Sequence, residues 1–564
     1  MHRPRTPLAI LPLLALALAA CGTSRPAPAR ATGGAVSMPE PHAARAALAA
    51  LDDGGNAIDA AVCAGFVLAV THPEAGNLGG GSFFVVHTPK ESFVVDARET
   101  APRAARRDTY LDRDGNVRPE VSTVGPLAAG VPGTVAGLLL LHERGGRLPR
   151  ERVLAPAIQL AEEGFRVDDG LRASLERHRA LLERFPESAR VFLPGGNVPR
   201  TLKQPELARV LKAISLEGAP GFYRGWFAEL VQNTCSKHAP GWQPQWITIG
   251  DLYTYTPKVR EVLRGTYRGH EVLTMPPPSS GGVVMLQMLD MLERGGYAGM
   301  RPEQRLHLFA EAGKRAFADR AAYFGDPDFA DVPVAELLDP AYVQRRFLEI
   351  SMTAATPSTA VAGGLGGEEG GCGGSESEET CHFSVIDREG NAVACTTTLN
   401  GAYGCGLAVS GVLLNNEMDA FTFKPGVPNI CGLIQGEANA VAPGKRPLSS
   451  MTPTILLKDG KPVLALGSPG GPTIISTVAQ VLANHLALGM ALPAAVAAPR
   501  IHHQWLPDEV IHEELTPEQV RSLTTLGHVL HPRERPMGDV QAVGYVGGLL
   551  TGVADPRGRG SNGR

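Results

Sequence analysis

A threonine that opens a strand directly after a stretch too small and polar to fold has a chemical use. From 353 to 379 this chain is almost entirely Ala, Thr, Ser, Gly and Glu. Such a segment cannot bury enough apolar surface to order itself. It ends abruptly at Thr380-Cys381-His382-Phe383-Ser384. A threonine hydroxyl is a weak nucleophile until a base stands beside it. A cut between Glu379 and Thr380 would make the chain its own base, because the new α-amine, with an ordinary pKa of about 7.7–8.0, titrates near neutrality. The same junction also fits a plain linker before an ordinary strand, so residues elsewhere must decide.

Three further groups bear on the choice. Acyl transfer through a tetrahedral intermediate needs donors for an oxyanion, and Gly470-Gly471 places amides without side chains at the mouth of a helix, where the dipole is positive. A plain turn would be written the same way. Ser449-Ser450, after Lys445-Arg446-Pro447-Leu448, sets two hydroxyls in a turn, able to hold a carboxylate or only to cap the turn. Arg98, beside Glu99, is able to clamp a carboxylate with two N–H groups or simply to form an ion pair.

The elements that must position these groups are legible from periodicity. Residues 42–70 read as two helices broken at Asp52-Asp53-Gly54-Gly55-Asn56, the second apolar on nearly every face and therefore buried. Residues 82–87 and 92–97 alternate as a strand pair. The middle of the chain, about 100–350, is mixed and mainly helical, its clearest helix predicted at 302–323. After Thr380 come strands at 382–387 and 392–398. A second hairpin is predicted at 454–457 and 463–467, turned by Asp459-Gly460. A helix opened by Pro472 then runs to about 488. Antiparallel strands flanked by helices predict a layered α/β sandwich.

The bulk properties narrow the class. The chain has 564 residues, 43% hydrophobic and 20% charged, with net charge −4 and both signs interspersed. That excludes a disordered chain and gives no basic field for nucleic acid. Arg3 and Arg5 precede an apolar run over 8–20, too short to span a bilayer comfortably, which reads as a secretory leader. The run ends in Leu18-Ala19-Ala20-Cys21, similar to a bacterial lipobox. Cys21 is thus the expected lipidation site, with 21–34 as a tether. Ordinary signal cleavage near Ala20 is the alternative. The eight cysteines form no CxxC pair and no zinc-type spacing, so neither metal nor cofactor is expected. Cys372 and Cys381 flank the cut, and a disulfide between them would tether the two chains. His502 and His503, adjacent in an extended segment, face opposite ways and are expected to be structural.

Together these segments resemble the gamma-glutamyltransferase (gamma-glutamyltranspeptidase) family of N-terminal-nucleophile hydrolases, over about 35–560. The motifs are Gly54-Gly55-Asn56-Ala57-Ile58-Asp59-Ala60-Ala61, Gly76-Asn77-Leu78-Gly79-Gly80-Gly81, Asp96-Ala97-Arg98-Glu99-Thr100-Ala101-Pro102 and Thr380-Cys381-His382-Phe383-Ser384. Thr398-Leu399-Asn400, Asn415-Asn416-Glu417-Met418-Asp419, Arg446-Pro447-Leu448-Ser449-Ser450-Met451 and Gly467-Ser468-Pro469-Gly470-Gly471 follow in order.

The resemblance implies a four-layer αββα sandwich and a precursor cut into a large chain, 35–379 with a flexible tail at 353–379, and a small chain, 380–564. It implies that Thr380 is the nucleophile of both cleavage and catalysis, hydrogen-bonded by Thr398, with Gly470 and Gly471 as the oxyanion hole. Arg98, Ser449 and Ser450 would bind the α-carboxylate of a γ-glutamyl donor similar to glutathione, and Asn400 and Glu417 its α-amine. The acyl group would pass to water or to an amine acceptor, in the periplasm or at the cell surface, with a membrane reached only through the lipid. Two positions depart from the family pattern. Ala420 stands where a second Asp usually helps to hold the α-amine, which weakens selection of a glutamyl over a glutaryl group. Cys431 stands where bacterial members often carry a lid tyrosine. A glutaryl- or cephalosporin-acylase-like amidase and a non-catalytic surface lipoprotein are the alternatives.

Overall fold

The computed structural model describes residues 33–239, 242, 244–366 and 380–563. The expected leader, the expected lipidation site Cys21, and Cys372 and Glu379 lie outside the described residues.

Each predicted element forms, and local sequence explains its bounds. The helix Ala57–Thr71 begins at Asn56, whose side chain accepts the amides of Ile58 and Asp59 while the Asp59 carboxylate accepts the amide of Asn56. This reciprocal cap sets the helix start. All fifteen of its residues are buried, as its all-round apolarity requires. The helix Pro302–Tyr323 has proline in its first turn. The helix after the glycine-rich turn runs Thr473–Leu482 and continues as a π-helical turn, Ala483–Ala487.

The strands build two antiparallel sheets. One has seven strands, in the order Ser561–Gly563, Gly34–Met38, Thr380–Asp387, Ala392–Thr398, Gly81–His87, Ser92–Ala97, Lys258–Arg260. The other has six: Leu549–Ala554, Gln541–Val546, Lys461–Gly467, Thr454–Lys458, His270–Thr274, Leu263–Tyr267. Their inner faces pack together, while helices Pro41–Asp52, Ala57–Thr71 and Thr134–Gly145 cover the first sheet and helices Gly281–Arg294, Pro302–Tyr323 and Thr473–Leu482 lie beyond the second. This is the expected α/β fold, an αββα sandwich. Alternation divides the cores: Phe84 and Val86 join the cluster under the first helical layer, and Phe83 and Val85 join the cluster between the sheets, as a period of two dictates.

Thr380, His382 and Ser384 share the inner face. His382 bonds Thr396 at 2.8 Å and Ser384 at 3.0 Å. A Cβ on Gly467 of the facing sheet would come within 2.4 Å of the His382 ring, so the imidazole fills the space between the sheets that a larger residue would occupy. Burial pushes its pKa down to about 3.

Two expectations require correction. The strand Gly34–Met38 already includes the last residue of the expected tether. The tail is ordered from 353 to 366: Ser358 Oγ donates to Trp505 O, the Trp505 indole donates to Ser358 O (2.9 Å) and Val361 O (2.8 Å), and Gly364 N donates to Asp319 (3.0 Å). Its order comes from hydrogen bonds to groups far away in sequence, which composition does not encode. Cys381 is a buried thiol that forms no disulfide among the described residues.

Candidate active site

The hairpin joining Thr380–Asp387 to Ala392–Thr398 sets the central pair. Asp387 accepts the amides of Glu389 and Asn391, both at 2.9 Å, and so fixes the turn. The register then places Thr398 directly across from Thr380, their hydroxyls 3.4 Å apart. Thr398 Oγ1 also accepts the Asn400 amide at 2.8 Å, so Thr398 can present its own proton to Thr380. Asn400 has φ of 74°, a left-handed conformation that Asn tolerates better than most residues.

The Gly76–Gly81 motif acts from behind. Asn77 Nδ2 donates to Thr398 O (2.9 Å) and Thr397 Oγ1 (3.0 Å), while its Oδ1 accepts Gly80 N and Thr134 Oγ1, both at 2.8 Å. A Cβ on Gly80 would fall 2.1 Å from Thr398 O, and one on Gly81 2.1 Å from Glu99 Oε2. Glycine here is what allows the chain to press against the residue that meets Thr380.

A cavity opens on Thr380 and is lined by Thr398, Arg98, Asn400, Glu417, Ser449, Ser450 and Gly471, with Ala420, Cys431 and Arg320. Gly470 precedes Gly471 in the turn, with φ of 129° and 54° respectively, backbone that favours glycine. Apart from Gly470, which adjoins Gly471 in the chain, the sequence-predicted site residues among those described all line this cavity.

Arg98 is fixed by its own motif and by 446–448. Asp96 accepts the Arg98 amide (3.0 Å) and pairs with Arg446 (3.3 Å), which brings the Pro447 and Leu448 carbonyls to the Arg98 guanidinium at 3.1 and 3.2 Å. The same guanidinium lies 2.7 Å from Glu417 and 3.4 Å from Glu99. Burial raises the pKa of Glu417 while Arg98 pulls it back. Burial and the nearby Glu417 lift the pKa of Glu99 well above its ordinary value, against the pull of Arg98. Arg98 and Glu417, expected to hold opposite charges of a ligand, thus hold each other.

The loop that carries Cys431 is tethered. Asp419 accepts Ile430 N and the Ser122 hydroxyl, both at 2.9 Å, and burial pushes its pKa up to about 7. Cys431 N donates to Asn429 at 3.0 Å.

Sequence reasoning missed Ser279, Ser280 and Arg320. Ser280 donates from N and Oγ to Ser449 O, both at 2.9 Å, and Ser279 Oγ to Met451 O at 2.7 Å, so this pair pins the Ser449-Ser450 turn. Arg320 stands in the run Phe317-Ala318-Asp319-Arg320-Ala321, where both charged residues are buried. Charges flanked by alanines on a long helix were the available signal. His502 bonds Ser476 and Gln504, and His503 lies 3.3 Å from Asp508, so the two rings do face different partners.

Comparisons with known proteins now bear on this geometry. The family model described as Gamma-glutamyltranspeptidase matches residues 43–563. A glutathione hydrolase proenzyme of Escherichia coli (strain K12) is 42% identical over 542 residues, 94% of this chain and 91% of the relative. An acylase ACY 1 proenzyme of Pseudomonas sp. (strain V22) is 37% identical over 544 residues, 93% of this chain and 92% of the relative. The crystal structure of a cephalosporin acylase from Bacillus halodurans superposes with a TM-score of 0.79 at 26% identity, covering 96% of this chain and 98% of that one.

Proposed function

We infer the reaction from one premise: the chain belongs to the gamma-glutamyltranspeptidase family. It is a self-processing γ-glutamyl acyltransferase and glutathione hydrolase. The observation that carries the assignment of roles is the meeting of Thr380, Thr398, Gly471 and the Arg98–Glu417 ion pair around one cavity.

In the proposed mechanism the Thr380 hydroxyl first attacks the carbonyl of Glu379, and hydrolysis of the resulting ester leaves Thr380 at a new N-terminus. Its α-amine then takes the hydroxyl proton as Oγ1 attacks the γ-carbonyl of the donor. The amides of Gly470 and Gly471 stabilise the oxyanion. Collapse breaks the amide bond and gives that proton to the departing amine. Water or an acceptor amine then attacks the ester and releases Thr380. The Thr398 hydroxyl, oriented by the Asn400 amide, keeps Oγ1 aimed throughout.

The Arg98–Glu417 pair suits a zwitterionic donor. An α-carboxylate would displace Glu417 from Arg98 and an α-ammonium would take up Glu417, so every charge stays compensated. Asn400, Ser449 and Ser450 complete the binding. A second reading, a glutaryl-type acylase, is favoured by Ala420, which puts a methyl group on the cavity wall and leaves Glu417 as the one acidic partner expected for an ammonium. Export and lipidation at Cys21 belong to the same proposal. Intact mass measurement of the mature protein, joined to release of p-nitroaniline from γ-glutamyl-p-nitroanilide, tests it. A single uncut chain, or a cut chain with no release, would overturn it.

A further inference from the structure

Two arginines line the cavity, and their surroundings differ. The donors of Arg98 are engaged by the Pro447 and Leu448 carbonyls and by Glu99, and Glu417 cancels its charge at 2.7 Å. Arg320 is 2% exposed. One edge of its guanidinium supports the serine turn: Nε donates to Ser280 Oγ (2.9 Å), which in turn holds Ser449 O, and Nη2 donates to Ser450 Oγ (3.4 Å). Nη1 is buried and meets no acceptor among the described residues. No carboxylate among them lies within ion-pair distance of Arg320, although Asp319, its neighbour in the chain, pairs with Arg346.

A buried, ionised donor left without an acceptor is costly, and a native fold rarely keeps one without a use. Burial lowers the pKa of Arg320 only to about 10, so the group is still cationic at neutral pH. The cavity therefore carries Arg98, engaged by Glu417 at 2.7 Å and Glu99 at 3.4 Å, and a second arginine with no carboxylate among the described residues within ion-pair distance. That charge stands beside the Ser450 hydroxyl, where the proposed function seats a carboxylate.

Resting on that reading, we propose that Arg320 is a second carboxylate anchor of the donor pocket, in addition to Arg98, and that it selects acyl donors carrying a carboxylate at the end remote from the scissile amide. The ligand class is a dicarboxylic acyl group, with or without an α-amine. Arg98 must exchange Glu417 to receive that carboxylate. Arg320 needs no such exchange, so it supplies the net attraction.

Three anilides separate the roles: γ-glutamyl-p-nitroanilide has carboxylate and ammonium, glutaryl-p-nitroanilide has carboxylate alone, and 4-aminobutyryl-p-nitroanilide has ammonium alone. The processed full-length enzyme and its Arg320→Gln variant are compared by kcat/KM on each. A charge-assisted hydrogen bond of ordinary strength corresponds to about tenfold to a hundredfold. The ratio of kcat/KM for either carboxylate-bearing donor over the carboxylate-free donor should fall by that factor in Arg320→Gln, mainly through KM. An equal loss on all three donors would show that Arg320 merely props the serine turn and would overturn the proposal, as would no loss on any. If Arg320→Gln fails to self-process, Arg320→Lys keeps the charge without the planar fork and is read by the same ratio, a partial fall supporting the proposal and an unchanged ratio overturning it. Wild-type protein that is cut but turns over none of the anilides would instead refute the underlying family-based reading.

Discussion

Replacing Ala420 by aspartate tests how the pocket tells an amino acid from a plain diacid. Ala420 closes the short helical turn Glu417–Ala420 on the cavity wall, and its carbonyl is gripped by Asn439 Nδ2 at 2.8 Å and Gln435 Nε2 at 3.1 Å. The backbone there is held, so a new carboxylate would project from a fixed base. A second acid facing the donor ammonium at about 4 Å, with an effective dielectric of about 20, attracts it by about 4 kcal/mol. Withdrawing the new carboxylate from water takes back part of that, leaving about 1.5–3 kcal/mol. Ala420→Asp should therefore raise the ratio of kcat/KM for γ-glutamyl-p-nitroanilide over glutaryl-p-nitroanilide by about tenfold to 150-fold. Steady-state kinetics on the two anilides measures it directly. A variant that cuts itself normally yet shows an unchanged or lower ratio would refute the reasoning that position 420 recognises the amine.

Other outcomes follow from the same contacts. Thr380→Ala should remain one chain on denaturing electrophoresis and release no p-nitroaniline. Thr398→Val removes the hydroxyl 3.4 Å from the nucleophile and should lower kcat by about tenfold to a hundredfold with little change in KM. Gly80→Ala would set a methyl 2.1 Å from the Thr398 carbonyl, which has no room to yield. A loss of about 3 kcal/mol, read as a lower melting temperature or an insoluble product, is expected. The buried histidines should work against the fold well above the carboxylate range. Burial holds His382 and His528 down to about 3 and His502 to about 4, while their unfolded counterparts take up protons near pH 6.5. Between those values the unfolded form of each histidine binds more protons, so its share of stability falls as pH drops. Asp419 and Asp539, raised by burial to about 7 and about 8, take up protons in the folded chain and offset that fall. A His502→Gln variant should therefore lose about 1.4 kcal/mol less than the unchanged protein between pH 7 and 5.5, and urea midpoints that move in parallel would contradict the structure.

What was legible in the sequence depended on the range of the cause. The hairpins around Thr380 and Arg98 and the helix Pro302–Tyr323 follow from periods of two and 3.6, which are local. The pairing of Thr380 with Thr398 follows from a turn only a few residues long. The glycine motifs were legible as motifs, but their reason, a close approach to Thr398 and Glu99, needed coordinates. Contacts across long separations were not legible. Arg320 reaches Ser280 and Ser450 from another helix, and Trp505 orders a segment nearly 150 residues earlier. No local pattern marks a charge that lacks a partner.

The sheet order has a consequence for how the protein ages. In the seven-stranded sheet Thr380–Asp387 and Ala392–Thr398 lie between Gly34–Met38 and Gly81–His87, and in the other sheet Thr454–Lys458 pairs with His270–Thr274. A cut before Thr380 leaves two polypeptides interleaved within the seven-stranded sheet, so neither could leave without breaking strand pairs there. Before the cut, refolding is unimolecular and independent of concentration. After it, a molecule that melts must find a partner to recover, and its durability becomes a matter of unfolding rate. Maturation would thus make folding a single-use event: the uncut Thr380→Ala chain should refold on cooling at any dilution, and the mature pair should recover less as it is diluted.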